Sequence, residues 1–184
     1  MSSSCDPQYA AAGDVGAALM MIDSRLKSIY DGEGDDADTG REQRELVEQF
    51  VASLGPGGAE DVLDGTCTIV YMFMTWLRQA HEAHDKDVIE YVAPTLVASL
   101  RLMPRSIRPE AIPTMAGLVV AAGTGLSPNL WRKQYGEWTE AEMNSLEATA
   151  FLLAEQINRI ADDRDFATRM IAEALSRADG TDES

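Results

Sequence analysis

Arg101, Arg105 and Arg108 fall within eight residues, with no acidic side chain between them. Arg132 and Lys133 follow in the same stretch. From residue 91 to residue 136 the only acid is Glu110, which leaves a local net charge of +4. A guanidinium group presents N–H donors in a fixed fork that fits carboxylate or phosphate oxygens. A second feature points to the same chemistry. Gly123-Thr124-Gly125 leads to Ser127-Pro128, an N-cap serine with proline at the first helical position. Free amides at such a helix start favour an anion. Arg101, Arg105, Arg108, Ser127, Arg132 and Lys133 are therefore the candidate anion-binding residues. No Gly-Lys-Thr/Ser ending follows the glycines, so this is not a Walker loop. The competing expectation is pairing with carboxylates, inside the chain or across a dimer. Residues 1–90 carry a net −12 and residues 137–184 a net −8, so carboxylates are plentiful. Pairing is the expected outcome, and replacing one of these arginines should then lower stability.

Two clusters have the residue types of metal ligands. In the loop from Asp31 to Glu42, Asp31, Glu33, Asp35 and Glu42 stand at positions 1, 3, 5 and 12 of a twelve-residue calcium loop. Position 6, which needs glycine for the sharp turn, holds Asp36, and Asp38 replaces the usual apolar residue at position 8. Thr39 and Glu42 also read as a capping box, which accounts for Glu42 without a metal. A solvated, mobile acidic loop over 31–40 is the expectation. The other cluster is His81, His84 and Asp85. Its histidines are spaced i, i+3, whereas the metalloprotease helix needs i, i+4 with a glutamate directly after the first. Histidines at a helix C-terminus also interact favourably with the helix dipole. No metal site and no cofactor is expected.

Trp131, Tyr135 and Trp138 stand at i, i+4 and i+7 with Arg132 and Lys133 between them. On one continuous helix the three rings would share a side. Such a surface can stack nucleobases, but Gly136 interrupts it. The expected role is a hydrophobic lid that docks a short helix on the core. Catalytic signatures are missing from the sequence: it has no Gly-x-Ser-x-Gly elbow and no dinucleotide glycine fingerprint.

The elements that must carry these residues are helical. Val15, Leu19, Ile22, Leu26 and Ile29 form one amphipathic stripe, and Leu46, Val47, Phe50, Val51 and Leu54 a second, stopped by Gly55-Pro56-Gly57-Gly58. A third helix is expected over 59–84. Its middle, Cys67 to Met74, is apolar on all sides, which marks a central helix with Met72, Phe73 and Trp76 in the core. A fourth should start near Asp85, kink or restart at Pro94 and end before Pro104. A proline-bearing connector and a small apolar helix, Thr114 to Ala122, come next. Thr139 with Glu142 forms a capping box for a long helix that buries Leu146, Ala150, Leu153, Ile157 and Ile160. Phe166 to Leu175 marks the last helix.

The 184 residues therefore read as an all-α, compact single-domain bundle of about seven or eight helices around the helix 59–84. Residues 13–178 form the domain, with flexible tails over 1–12 and 179–184. The net charge of −16 opposes general binding to nucleic acid or anionic membrane. Cys67, inside the apolar run, reads as a buried small hydrophobe. No leader peptide or membrane span is evident, so the expected location is cytoplasmic. Twelve arginines against three lysines, with abundant alanine, suit a GC-rich bacterial gene. The leading functional expectation is a non-enzymatic binding or regulatory protein that acts through a protein partner and self-associates as a homo-oligomer. The alternative is a small-molecule-binding protein or enzyme whose anionic ligand sits on the 101–133 stretch. A metal-binding helical protein is the third.

Overall fold

Among the described residues, 10–31, 45, 49 and 57–181 of a computed structural model, the chain forms an all-α bundle with no strand. The helices are α1 (Ala12–Asp31), α2 (Gly58–Glu82), α3 (Val88–Arg101), α4 (Ile112–Gly123), α5 (Pro128–Tyr135), α6 (Glu140–Ala161) and α7 (Phe166–Thr181), with a 3-10 turn at Pro109–Ala111. The second amphipathic stripe, Leu46 to Leu54, and the acidic segment 32–44 lie outside the described residues.

The all-round apolar character of α2 has the expected consequence. This helix touches every other helix of the bundle. Cys67, Ile69, Val70, Phe73, Met74 and Leu77 are enclosed within it. Met72 and Trp76 depart from the expectation. Both are only partly buried at the edge of the core, where Trp76 meets the Phe166 ring of α7 at 5.3 Å between centroids. The stripes of α1 and α6 face inward through Val15, Ile22, Leu26, Leu146, Leu153 and Ile157. Ile29 and Ile160 do not, because each stands in the last turn of its helix, where the stripe runs off the end of the core.

One glycine sets how closely α1 approaches α2. A Cβ added to Gly65 would lie 2.3 Å from the Asp14 carbonyl oxygen. Only a residue without a side chain lets the first turn of α1 sit against α2 at that distance. Nearby, Thr68 Oγ1 accepts from the Ala10 amide and from Asn129 Nδ2, both at 2.9 Å, and donates to the Asp64 carbonyl. One hydroxyl thereby ties together the segment before α1, α2 and α5.

The helix α3 starts three residues later than expected, because Asp87 is its N-cap and accepts from the Ile89 amide at 2.8 Å. It also continues through Pro94 as one element. Pro94 and Glu90 both face solvent, so the carbonyl that loses its helical partner can be solvated. Pro113 belongs to the first turn of α4 instead of the connector, a position where proline is tolerated. The expected capping box of α6 is present in both directions, and Asp162 closes that helix in the left-handed conformation at φ 53°. Asn158 then braces the turn into α7. Its Oδ1 accepts from the Ala167 amide at 2.8 Å and its Nδ2 donates to the Arg164 carbonyl at 2.6 Å.

Candidate functional site

The six candidate anion-binding residues do not converge on one site. Burial divides them. Arg132 is 5 % exposed, and its Nη2 donates to Glu142 Oε2 at 2.8 Å and to the Glu137 carbonyl. Its guanidinium carbon lies 4.2 Å from the centre of the Trp138 ring and 5.6 Å from that of Tyr135. Among the described residues, Nε and Nη1 have no hydrogen-bond acceptor, and contact between the cation and these aromatic faces partly replaces one. Glu142 makes three further bonds. Thr114 Oγ1 donates to Oε1 at 3.0 Å and the Thr139 amide to Oε2 at 3.0 Å, while the Glu142 amide donates to Thr139 Oγ1. Burial alone would raise this carboxyl. The donors from Thr139, Arg132 and Thr114 overcome that and hold it below the ordinary glutamate value. The pair locks α5 to the start of α6 and to α4. Here the expectation of pairing holds.

Ser127 is a buried helix cap. Its Oγ accepts from the Leu130 amide at 3.4 Å. Of the amides at this helix start, that of Leu130 is taken by the cap and that of Trp131 donates to the Ser127 carbonyl. α4 ends in a Schellman turn in which the Leu126 amide donates to the Ala121 carbonyl and the Gly125 amide to that of Ala122. Gly125 supplies the left-handed residue, at φ +89°. Lys133 is exposed and acts electrostatically on Asp64 of α2, whose carboxyl is raised by burial and lowered by this lysine. Arg101 is exposed in the last turn of α3.

Arg105 and Arg108 have a different setting. The Met103 carbonyl accepts from the Ser106 and Ile107 amides at 3.0 and 2.8 Å, closing a tight turn. Ile107 is buried and pins that turn to the core, which leaves its polar neighbours at the surface. Arg105, Ser106 and Arg108 line one side of a cavity of about 200 Å³, and Glu140, Ala141 and Asn144 of α6 line the other. Among the described residues, neither arginine forms an ion pair. A larger cavity of about 300 Å³ lies where α1, α6 and the α6–α7 turn meet, beside Tyr30 and Asn158. Its arginines are engaged, Arg159 with Glu155 at 2.5 Å and Arg164 over the Tyr30 ring.

The aromatic series is broken by Gly136, which ends α5 at φ +116°. Trp131 and Tyr135 stack, 4.8 Å between ring centres and 20° between planes. Trp131 packs on Gly117 of α4, where an added Cβ would lie 3.0 Å from its ring. Trp138 lies beyond the helix and serves as the platform for Arg132 instead. The α4–α5 pair leaves Val120, Leu126, Leu130 and Tyr135 exposed at 37, 59, 36 and 61 %.

The histidines do not form a ligand pair. His81 Nδ1 is bonded to the Leu77 carbonyl at 2.7 Å, whereas His84 and Asp85 lie in the turn after α2, with Asp85 at φ 56°. No group of three or more His, Cys, Asp or Glu side chains suited to a metal ion occurs among the described residues. The side chains of Asp31, Glu33, Asp35 and Glu42 lie outside those residues. Burial pushes the Cys67 thiol far up, which makes it a poor nucleophile. No helix among the described residues is long and apolar enough to cross a membrane.

The sequence reading missed Glu142 as the ion-pair partner of Arg132, and Glu140 and Asn144 as the far wall of the arginine cavity. It also missed Gly117 as the seat of Trp131. Opposite charges on either side of the Gly136 turn were the available signal for the first. Comparison with family models, with curated proteins and with solved structures found no match.

Proposed function

We propose that this chain is a non-enzymatic helical binding protein that acts through protein contact, with the α4–α5 face as the contact surface and a second copy of the chain as its occupant. The supporting observation is the set of exposed apolar side chains on this helix pair, Val120 of α4, Leu126 of the turn and Leu130 and Tyr135 of α5, with Tyr135 stacked on the half-buried Trp131. Clustered apolar side chains with a rigid aromatic centre are the usual anchors of protein interfaces. Charge favours a second copy. The stretch 91–136 is the one net-positive part of a chain of net −16, so the repulsion between copies is least where this face lies. Lys133 of α5 and Arg101 are exposed in the same stretch and complement the acidic remainder of a partner copy. A buried free thiol at Cys67 suits a reducing, cytoplasmic setting.

Sedimentation of the full chain from micromolar to near-millimolar concentration tests this. The wild type should gain mass with concentration, and the doubly substituted Leu126→Ser/Tyr135→Ser chain should remain a monomer with an unchanged helical spectrum. A wild type that stays monomeric throughout, or a substituted chain that associates equally well, refutes the reading.

A further inference from the structure

We infer that the cavity between the 104–108 turn and the first turn of α6 is a site for inorganic phosphate, held by Arg105 and Arg108 and selected by Glu140. This inference rests on other residues than the α4–α5 face and stands or falls separately.

The first argument is electrostatic. The chain has 31 acidic side chains, yet among the described residues neither Arg105 nor Arg108 forms an ion pair. Two guanidinium groups against the single carboxylate of Glu140 leave this small concavity net positive, which attracts an anion. The second argument is rigidity. Ile107 fixes the backbone between them, so both arginines leave the chain at set positions and only their side chains need ordering on binding. The third is size. A cavity of about 200 Å³ lies below the range of about 300–1,000 Å³ typical of sites for drug-sized ligands. It suits a tetrahedral oxyanion, with the Ser106 hydroxyl and the Asn144 amide as neutral donors.

Glu140 makes the choice of anion. An ionised carboxylate only accepts hydrogen bonds, so beside a bound oxyanion it is repulsive unless that anion brings a proton. Sulfate has none at neutral pH. A phosphomonoester has largely lost its second proton there, since its second pKa is about 6. Inorganic phosphate keeps at least one P–OH at neutral pH. That hydroxyl can donate to Glu140 while the remaining oxygens accept from Arg105 and Arg108. A hydrogen bond to a charged acceptor contributes enough to separate phosphate from sulfate by about tenfold or more.

The test is thermal melting and calorimetric titration of the full chain with inorganic phosphate, sulfate and glycerol 2-phosphate at neutral pH, with chloride holding ionic strength constant. Phosphate should raise the melting temperature with concentration and bind about tenfold more tightly than sulfate or the ester. In Arg105→Ala and Arg108→Ala the phosphate effect should vanish while the anion-free melting temperature does not fall. Glu140→Gln should weaken phosphate and strengthen sulfate until the two bind alike. Phosphate and sulfate also stabilise proteins by exclusion from their surface, an effect that needs no site. Equal shifts from both anions, persisting in the arginine variants, would therefore overturn the inference. So would the absence of heat and of any shift in the wild type, or a loss of anion-free stability in the arginine variants.

Discussion

Replacing Glu142 by Gln removes one charge from the bundle and almost nothing else. The shape is kept. The Gln carbonyl can face Arg132 Nη2 and the Thr139 amide, as Oε2 does now, and its NH2 can face the Thr114 hydroxyl, which can turn to accept. What remains is a guanidinium with a side chain 6 % exposed and no counter-charge beside it. Removing one partner of a buried pair outright costs about 3–5 kcal/mol. With the hydrogen bonds retained, the loss should be about 2–3 kcal/mol, roughly 1 kcal/mol for each of the three bonds to the carboxylate whose charged partner becomes neutral. For a chain of this size that lowers the melting temperature by about 4–12 °C. Urea unfolding followed by far-UV circular dichroism, from neutral to acid pH, is the assay. The direction with pH is fixed. Burial acts to raise the Glu142 carboxyl, but Thr139, Arg132 and Thr114 hold it below the ordinary glutamate value. A depressed value in the folded state means that the stabilisation is complete above the unfolded value of about 4.3 and is lost as pH falls through the lower folded one. The gap between wild type and Glu142→Gln should be constant down to about pH 5 and close below about pH 4. A gap unchanged at acid pH, or no gap at neutral pH, would refute the assignment of Arg132 and Glu142 as a buried charged pair.

Three other substitutions check the packing. Gly65→Ala gains about 1 kcal/mol of helix propensity but sets a methyl 2.3 Å from the Asp14 carbonyl oxygen, which is backbone and cannot swing aside. A net loss of about 1–3 kcal/mol in urea unfolding is expected, and a stabilised variant would show that α1 does not sit this close to α2. Gly117→Ala meets only the Trp131 ring at 3.0 Å, on a short helix that can shift by a few tenths of an ångström, so its stability should change by less than about 1 kcal/mol while tryptophan fluorescence moves. Phe73→Ala empties a fully enclosed position of the central helix and should cost about 3–5 kcal/mol; a loss below about 1 kcal/mol would place that ring outside the core.

The helices were legible because their signals are local. A stripe at steps of three and four, as in Val15, Ile22 and Leu26, needs no knowledge of the rest of the fold. The all-round apolar run from Cys67 to Met74 announced a centre for the same reason. The capping box of Thr139 and Glu142 was readable at a spacing of three. What escaped was the second use of Glu142. Arg132 lies ten residues earlier, across a turn whose direction is set by Gly136 at φ +116°. Charge type and spacing do not reveal that direction. Pro94 shows the opposite limit. The local rule allows a kink or a restart, and the helix does not restart, because Pro94 and Glu90 face water, where the missing bond can be solvated.

The arginines show most plainly where pattern gives way to packing. All four lie in one cationic stretch, and by composition they are equivalent. Arg132 follows Trp131, which seats on Gly117 and draws α5 against the core, so its guanidinium is dehydrated and must have a carboxylate and an aromatic face. Arg105 and Arg108 flank Ile107, which takes the buried position itself and leaves both arginines at the surface. Arg101 ends a helix whose inward residue in that turn is Leu100. In each case the fate of the cation follows from where the adjacent apolar side chain is buried. The expectation of pairing held for the arginine drawn inward. The ones left outside stand free of ion pairs among the described residues, and two of them face a cavity that an anion can enter.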